Sequence, residues 1–147
     1  MLSITMEFNK ITLNNLSEIV NLTVSKSQEH FVADNCYSIE QVGLNPDSWC
    51  RGIYCNGVPV GFFSVQNRPN NVAYIWRYMI DKNHQGKGYG KSSLIKLNDI
   101  LYNNGAQLIE LTVVRKTGGP EEFYRKCGFK PTEECIHGEW RMIHSGL

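Results

Sequence analysis

Met79-Ile80-Asp81-Lys82-Asn83-His84-Gln85-Gly86-Lys87-Gly88-Tyr89-Gly90-Lys91 runs from an apolar strand through a glycine-rich turn into an amphipathic helix. A helix start presents unpaired backbone N–H groups and the positive end of the macrodipole, so this is the anatomy of an anion site. Gly86, Gly88 and Gly90 are expected to remove side chains that would keep a ligand phosphate from the backbone. Leu94, Leu97 and Leu101, with Ile100 beside them, give a helix over residues 88 to 104 its buried stripe, and Gly105 supplies a stop. Leu108 to Val114 reads as the next strand, and strand-helix-strand implies a parallel pair.

Upstream the hydrophobic period changes. Asn56-Gly57 between Ile53-Tyr54-Cys55 and Val58-Pro59-Val60 reads as a hairpin with a type I′ turn, and Arg68-Pro69-Asn70-Asn71 closes another. Residues 4 to 11 form a first strand. Asn15 with Glu18 three residues later suggests a capping arrangement for a helix bearing Leu16, Ile19, Val20 and Val24 on one face. Between Ser25 and Asn45 the pattern loosens into a second short helix and a loop, suited to lining a substrate pocket. Downstream, Pro120 opens a short helix ending near Cys127-Gly128, and strands around Phe129 to Thr132 and Trp140 to Ile143 pair through His137-Gly138. The expected fold is α/β (α+β): a mixed, mostly antiparallel sheet with one splayed parallel pair, flanked by helices, in a single domain over residues 1 to 147. A parallel pair that splays at its carboxyl ends opens a crevice where ligands bind.

Composition narrows the function. Fifteen Lys and Arg against fourteen Asp and Glu give a formal charge of +1, too little to gather nucleic acid or anionic lipid by long-range field. No segment approaches the ~20 apolar residues that span a bilayer, and MLSITMEFNK lacks the features of a signal peptide, so a cytoplasmic location is expected. Cys36, Cys50, Cys55, Cys127 and Cys135 show no C-x-x-C pair or metal-ligand spacing; reduced thiols and no metal site are expected.

Two rival phosphate motifs fail on counting. Gly90-Lys91-Ser92 imitates the end of a P-loop, but that loop needs glycine where Gln85 stands; the dinucleotide fingerprint fails because Lys91 follows Gly90. Gln85-x-x-Gly88-x-Gly90 instead matches the Q/R-x-x-G-x-G/A pyrophosphate motif of the GNAT N-acetyltransferases, which this chain resembles in element order across nearly its whole length. A second motif, Glu121-Glu122-Phe123-Tyr124-Arg125-Lys126-Cys127-Gly128-Phe129, is similar to the FY-x-x-x-GF helix of the same family.

The resemblance implies acetyl-CoA as co-substrate, held by Gln85, Gly86, Lys87, Gly88, Tyr89, Gly90 and Lys91, with Met79 and Ile80 offering amides to the oxyanion and Phe123 beside the site. It implies that Tyr124 is the general acid at the CoA sulfur, and the chemistry suits a phenol, whose pKa of ~10 lets it protonate a departing thiolate. Many relatives carry asparagine where Thr117 stands, a residue that helps hold the pantetheine arm of CoA, and Thr117 makes only part of that contact. The stretches from His30 to Ser38, Ile75 to Asp81 and Gly119 to Tyr124 resemble small bacterial diamine and spermine/spermidine acetyltransferases. A polyamine needs carboxylates for its unreacted ammonium groups and an apolar wall for its methylenes, which Glu29, Asp34, Tyr37 and Trp76 would provide. Arg77 is placed to pair with Glu110, and Glu29 and Glu110 are the candidate bases. The partner is then a small-molecule amine, with a homodimer left open. A peptide N-terminal or aminoglycoside acetyltransferase and a non-catalytic acyl-CoA sensor are the alternatives; an acid at the sulfur argues against the sensor.

Overall fold

The computed structural model describes residues 5–29 and 31–144, so Ile4 of the expected first strand and His30 lie outside the described residues. Among the described residues seven strands form one sheet in the order β1-β2-β3-β4-β5-β7-β6. They are β1 (Met6–Asn9), β2 (Ser48–Cys55), β3 (Val58–Arg68), β4 (Val72–Ile80), β5 (Leu108–Val113), β6 (Lys130–Ile136) and β7 (Glu139–His144). Every neighbour pair is antiparallel except β4 with β5. The turns are those expected: Asn56 and Gly57 both have positive φ, as a type I′ turn requires, and so do His137 and Gly138 between the last two strands.

The parallel pair decides where a ligand can enter. β4 and β5 are in register only at Val72/Leu108, Ala73/Ile109 and Tyr74/Glu110, after which the two strands part. Beyond Tyr74, one edge of β4 therefore faces a crevice. β4 also carries a bulge, since Ser64 of β3 faces Arg77 while Val65 faces Ile75, leaving Trp76 as the extra residue. Met79 and Ile80, which the resemblance puts at the oxyanion, sit in regular register with Phe62 and Gly61.

Among the described residues four α-helices cover the sheet: α1 (Leu16–Val20), α2 (Asn35–Gly43), α3 (Tyr89–Asn103) and α4 (Glu121–Lys126). α3 buries Leu94, Leu97 and Leu101 with Ser93 and Asn98 against β3, β4 and β5. On the opposite face, Ile19, Tyr54, Phe62 and Met79 form a second, smaller core.

The first helix is shorter than its pattern suggests, and Val24 lies beyond it. Competing hydrogen bonds explain this: Asn35 Nδ2 takes the carbonyls of Ile19 (2.8 Å) and Leu22 (3.3 Å), and the Thr23 amide goes to Asp81 (2.9 Å). The expected capping box is also absent. Asn15 accepts from the Thr12 amide and donates to Lys10 O, and Glu18 accepts from the Tyr54 hydroxyl at 3.2 Å. Among the described residues no helix is long and apolar enough to cross a membrane.

Candidate active site

Asp81, buried at the end of β4, fixes the entry to the glycine loop. Its carboxylate accepts from the amides of Thr23 (2.9 Å) and Asn83 (3.1 Å), and its own amide donates to Val60 O. The Gln85 side chain donates to Ile80 O and to Gln28 Oε1, both at 2.9 Å, tying the loop back to β4 and to the turn before α2. Gly88 then caps α3 in the left-handed region, with φ of 84° and no side-chain cap. Among the described residues the backbone amides from Gln85 to Lys91 donate to no protein acceptor. A run of free amides at the start of a long helix is the chemistry a pyrophosphate needs.

The three glycines do not all serve the same end. A Cβ at Gly86 or Gly88 would meet nothing within 4 Å, but φ is positive at both, so the turn itself demands glycine. At Gly90 the reason is packing: a Cβ there would come to 3.2 Å of Phe123 Cζ. The Phe123 ring thus seats α4 on the first turn of α3. Tyr78 adds a lock from below, its hydroxyl donating to Gly90 O at 2.6 Å and pairing with the Ser93 hydroxyl.

Tyr124 is held by the way its helix ends. The Phe129 amide bonds Tyr124 O (3.0 Å), the Gly128 amide bonds Arg125 O (3.1 Å), and Gly128 is left-handed, which together make a Schellman stop. Phe129 returns edge-on to the Tyr124 ring at 5.9 Å. The glycine and phenylalanine of the second motif are therefore the stop that fixes the tyrosine. Burial, chiefly, with Cys127 and Tyr74 nearby, pushes the Tyr124 phenol well above its ordinary value, so it keeps its proton throughout the neutral range. Cys127 is buried in the core, and burial pushes its thiol up as well.

These elements enclose a cavity of about 450 Å³, lined by Met79, Ile80, Gln85, Gly86, Gly88, Tyr89, Gly90, Lys91, Phe123 and Tyr124 on one side and by Phe31, Trp76, Arg77, Thr112 and Glu139 on the other. Of the residues singled out from sequence, Lys87, Thr117 and Tyr37 do not line it. Gly118 and Gly119 stand where Thr117 was expected, and Gly119 packs close to Phe31. Glu29 and Asp34 line a second cavity of about 310 Å³ that shares Val24, Val32, Ala33 and Met79 with the first. Asp34 also caps α2, accepting from the Tyr37 amide at 2.8 Å. Tyr37 is exposed, its hydroxyl accepting from Gln41 at 3.3 Å.

One expected pairing is replaced. Glu110 is bound by Arg141 (2.6 Å) and Arg68 (2.9 Å), whereas Arg77 donates to Gln41 Oε1 (2.9 Å) and Trp76 O (3.0 Å). Glu110 is thereby locked in an ion-pair cluster outside the cavity, which removes it as a base. Sequence reasoning missed Glu139 and Thr112, because their approach depends on β7 rather than β6 lying beside β5.

Comparison with known proteins agrees with this architecture. The model of the acetyltransferase (GNAT) family matches residues 28–129. A probable spermine N(1)-acetyltransferase of Bacillus subtilis subsp. natto is 27% identical over 148 aligned residues, covering 90% of this chain and 93% of that protein. An uncharacterized N-acetyltransferase of Methanocaldococcus jannaschii is 31% identical over 94 residues, 60% of this chain; the match spans only 41% of that longer protein. A Bacillus subtilis acetyltransferase solved in complex with CoA superposes with a TM-score of 0.73 at 15% identity, covering 99% of this chain and 100% of its own. With the splayed pair, the amide-lined loop and the family match in place, the chain belongs to the GNAT family of acetyltransferases, whose co-substrate is acetyl-CoA.

Proposed function

We propose that this chain transfers the acetyl group of acetyl-CoA directly to a small primary amine, with Tyr124 as the acid that protonates the leaving sulfur. The observation that carries this reading is that Tyr124 and the loop residues whose amides are free line one cavity. In this mechanism the loop amides from Gln85 to Lys91 hold the pyrophosphate, and the Ile80 amide, which alternation along β4 turns away from β3, steadies the developing oxyanion. The neutral amine attacks the thioester carbonyl, the C–S bond breaks, and the sulfur takes the Tyr124 proton. Tyr124 regains a proton from water, and the amine's surplus proton leaves through water. Buried Cys127 has no part in it.

A diamine or polyamine is the acceptor we favour, on the resemblance of the segments around Asp34, Trp76 and Tyr124 and on the spermine acetyltransferase relative. Trp76, Phe31 and Val32 supply an apolar wall for methylenes. Glu29 and Asp34, across the shared wall, are within this proposal the partners for the far nitrogen of a longer polyamine. The test is a CoA-release screen of diamines, polyamines, aminoglycosides and short peptides; peptides outpacing every polyamine would overturn the acceptor class.

Arg77 favours a second reading, because a guanidinium in the cavity wall suits an acceptor bearing a carbonyl or carboxylate, such as a peptide N-terminus. Its buried Nε has no partner among the described residues. Arg77→Gln separates the two. If the acceptor is a polycation, removing a like charge should lower its KM several-fold; if it is a peptide, the same change should raise KM by about tenfold.

A further inference from the structure

The charges around the main cavity are lopsided. Arg77 and Lys91 line it with formal positive charge, and His84 adds a third basic group; Glu139 is the only acid among the described lining residues. Without Glu139 the ionised wall would be wholly cationic. An acceptor with two ammonium groups would then enter against like charge at every point.

Glu139 is also oriented. It is the first residue of β7, reached through the His137-Gly138 turn, and it projects toward β5. The Thr112 hydroxyl donates to Glu139 Oε1 at 3.1 Å, and the Tyr74 hydroxyl stands 2.9 Å from the same threonine oxygen. A threonine has one proton to give, so Tyr74 donates to Thr112 and Thr112 to Glu139. One carboxylate oxygen is fixed by this chain. The other has no hydrogen-bond or ion-pair partner among the described residues, in contrast to Glu110 with its two arginines and Glu121 with Arg115 and Arg125.

We propose that Glu139 is the specificity-determining carboxylate that receives the unreacting ammonium of a diamine or polyamine, and that Thr112 and Tyr74 position it. The inference rests on the amine-acetyltransferase reading above. It assigns the acceptor's nearer charge contact to β7, where Glu29 and Asp34 reach only an adjoining cavity.

The experiment compares a straight-chain diamine with the monoamine of equal length, at saturating acetyl-CoA, in the wild type and in Glu139→Gln, Thr112→Val and Glu29→Gln. Glu139→Gln should raise KM for the diamine about tenfold more than for the monoamine, with KM changing more than kcat, and the difference should shrink as salt rises. Thr112→Val should move the same ratio in the same direction by a smaller factor, since it frees the carboxylate without removing it. Glu139 is exposed at a turn, and thermal stabilisation by acetyl-CoA reports that each variant is folded. If Glu139→Gln treats both amines alike, or if Glu29→Gln alone carries the discrimination, this assignment is wrong while the parent reading stands. If the wild type acetylates neither amine but does acetylate peptides, both fall together.

Discussion

Tyr124→Phe is expected to slow acetyl transfer by a factor of ~10² to 10⁴, roughly 3 to 5 kcal/mol of barrier, with little change in acetyl-CoA affinity. The substitution deletes one hydroxyl and keeps the ring that Phe123 and Phe129 meet edge-on. Packing should therefore survive. A raised phenol pKa makes Tyr124 a weaker acid in isolation, but the low-dielectric wall that raises it also raises the leaving thiolate, so the proton still has a suitable destination. The sign matters for pH: the upward shift means Tyr124 adds no descending limb to kcat below about pH 10, its ordinary value. Steady-state kcat and an acetyl-CoA titration decide the matter. A fully active phenylalanine variant would reduce Tyr124 to packing. Cys127→Ser serves as the contrast, expected to leave turnover within about twofold; a loss matching that of Tyr124→Phe would point to an acyl-cysteine route instead.

Local signals carried most of the architecture. Asn-Gly and His-Gly turns, the leucine stripe of α3 and the strand-helix-strand step around the glycine loop all fall where their chemistry places them, because each depends on neighbours in sequence. The failures share a different cause. α1 stops early because Asn35 and Asp81, distant in sequence, take the hydrogen-bonding groups that would have extended it. The Arg77–Glu110 pairing fails because strand order, which no local pattern encodes, brings Arg141 of β7 next to Glu110 of β5. The same ordering hides Glu139 from sequence reasoning. Its one local signal, an acid immediately after a His-Gly turn, is indistinguishable from an ordinary solvated residue until Glu139 is known to line the cavity.

In Gly88→Val, acetyl-CoA should no longer raise the melting temperature. At one hundred times its dissociation constant, a ligand of the native state adds about 2.7 kcal/mol, roughly 5 to 10 °C for a chain of this length. Gly88 is the residue on which that binding turns, because its φ of 84° sets the direction of every amide between the loop and α3. A valine finds open space there, with nothing within 4 Å of its Cβ, so it does not clash; it strains. A β-branched residue in the left-handed region costs on the order of 1 to 3 kcal/mol, and the turn can relieve that strain only by rotating its own peptide groups, which moves the amides proposed to hold the pyrophosphate. The unliganded protein should melt a few degrees lower and remain folded, since Leu94, Leu97 and Leu101 hold α3 to the sheet independently of the loop. Gly90→Ala should weaken binding by another route, pushing on Phe123 from 3.2 Å without altering the turn. Calorimetric scans with and without acetyl-CoA distinguish these outcomes, and a Gly88→Val protein that keeps the full ligand shift would show that the phosphates are held elsewhere.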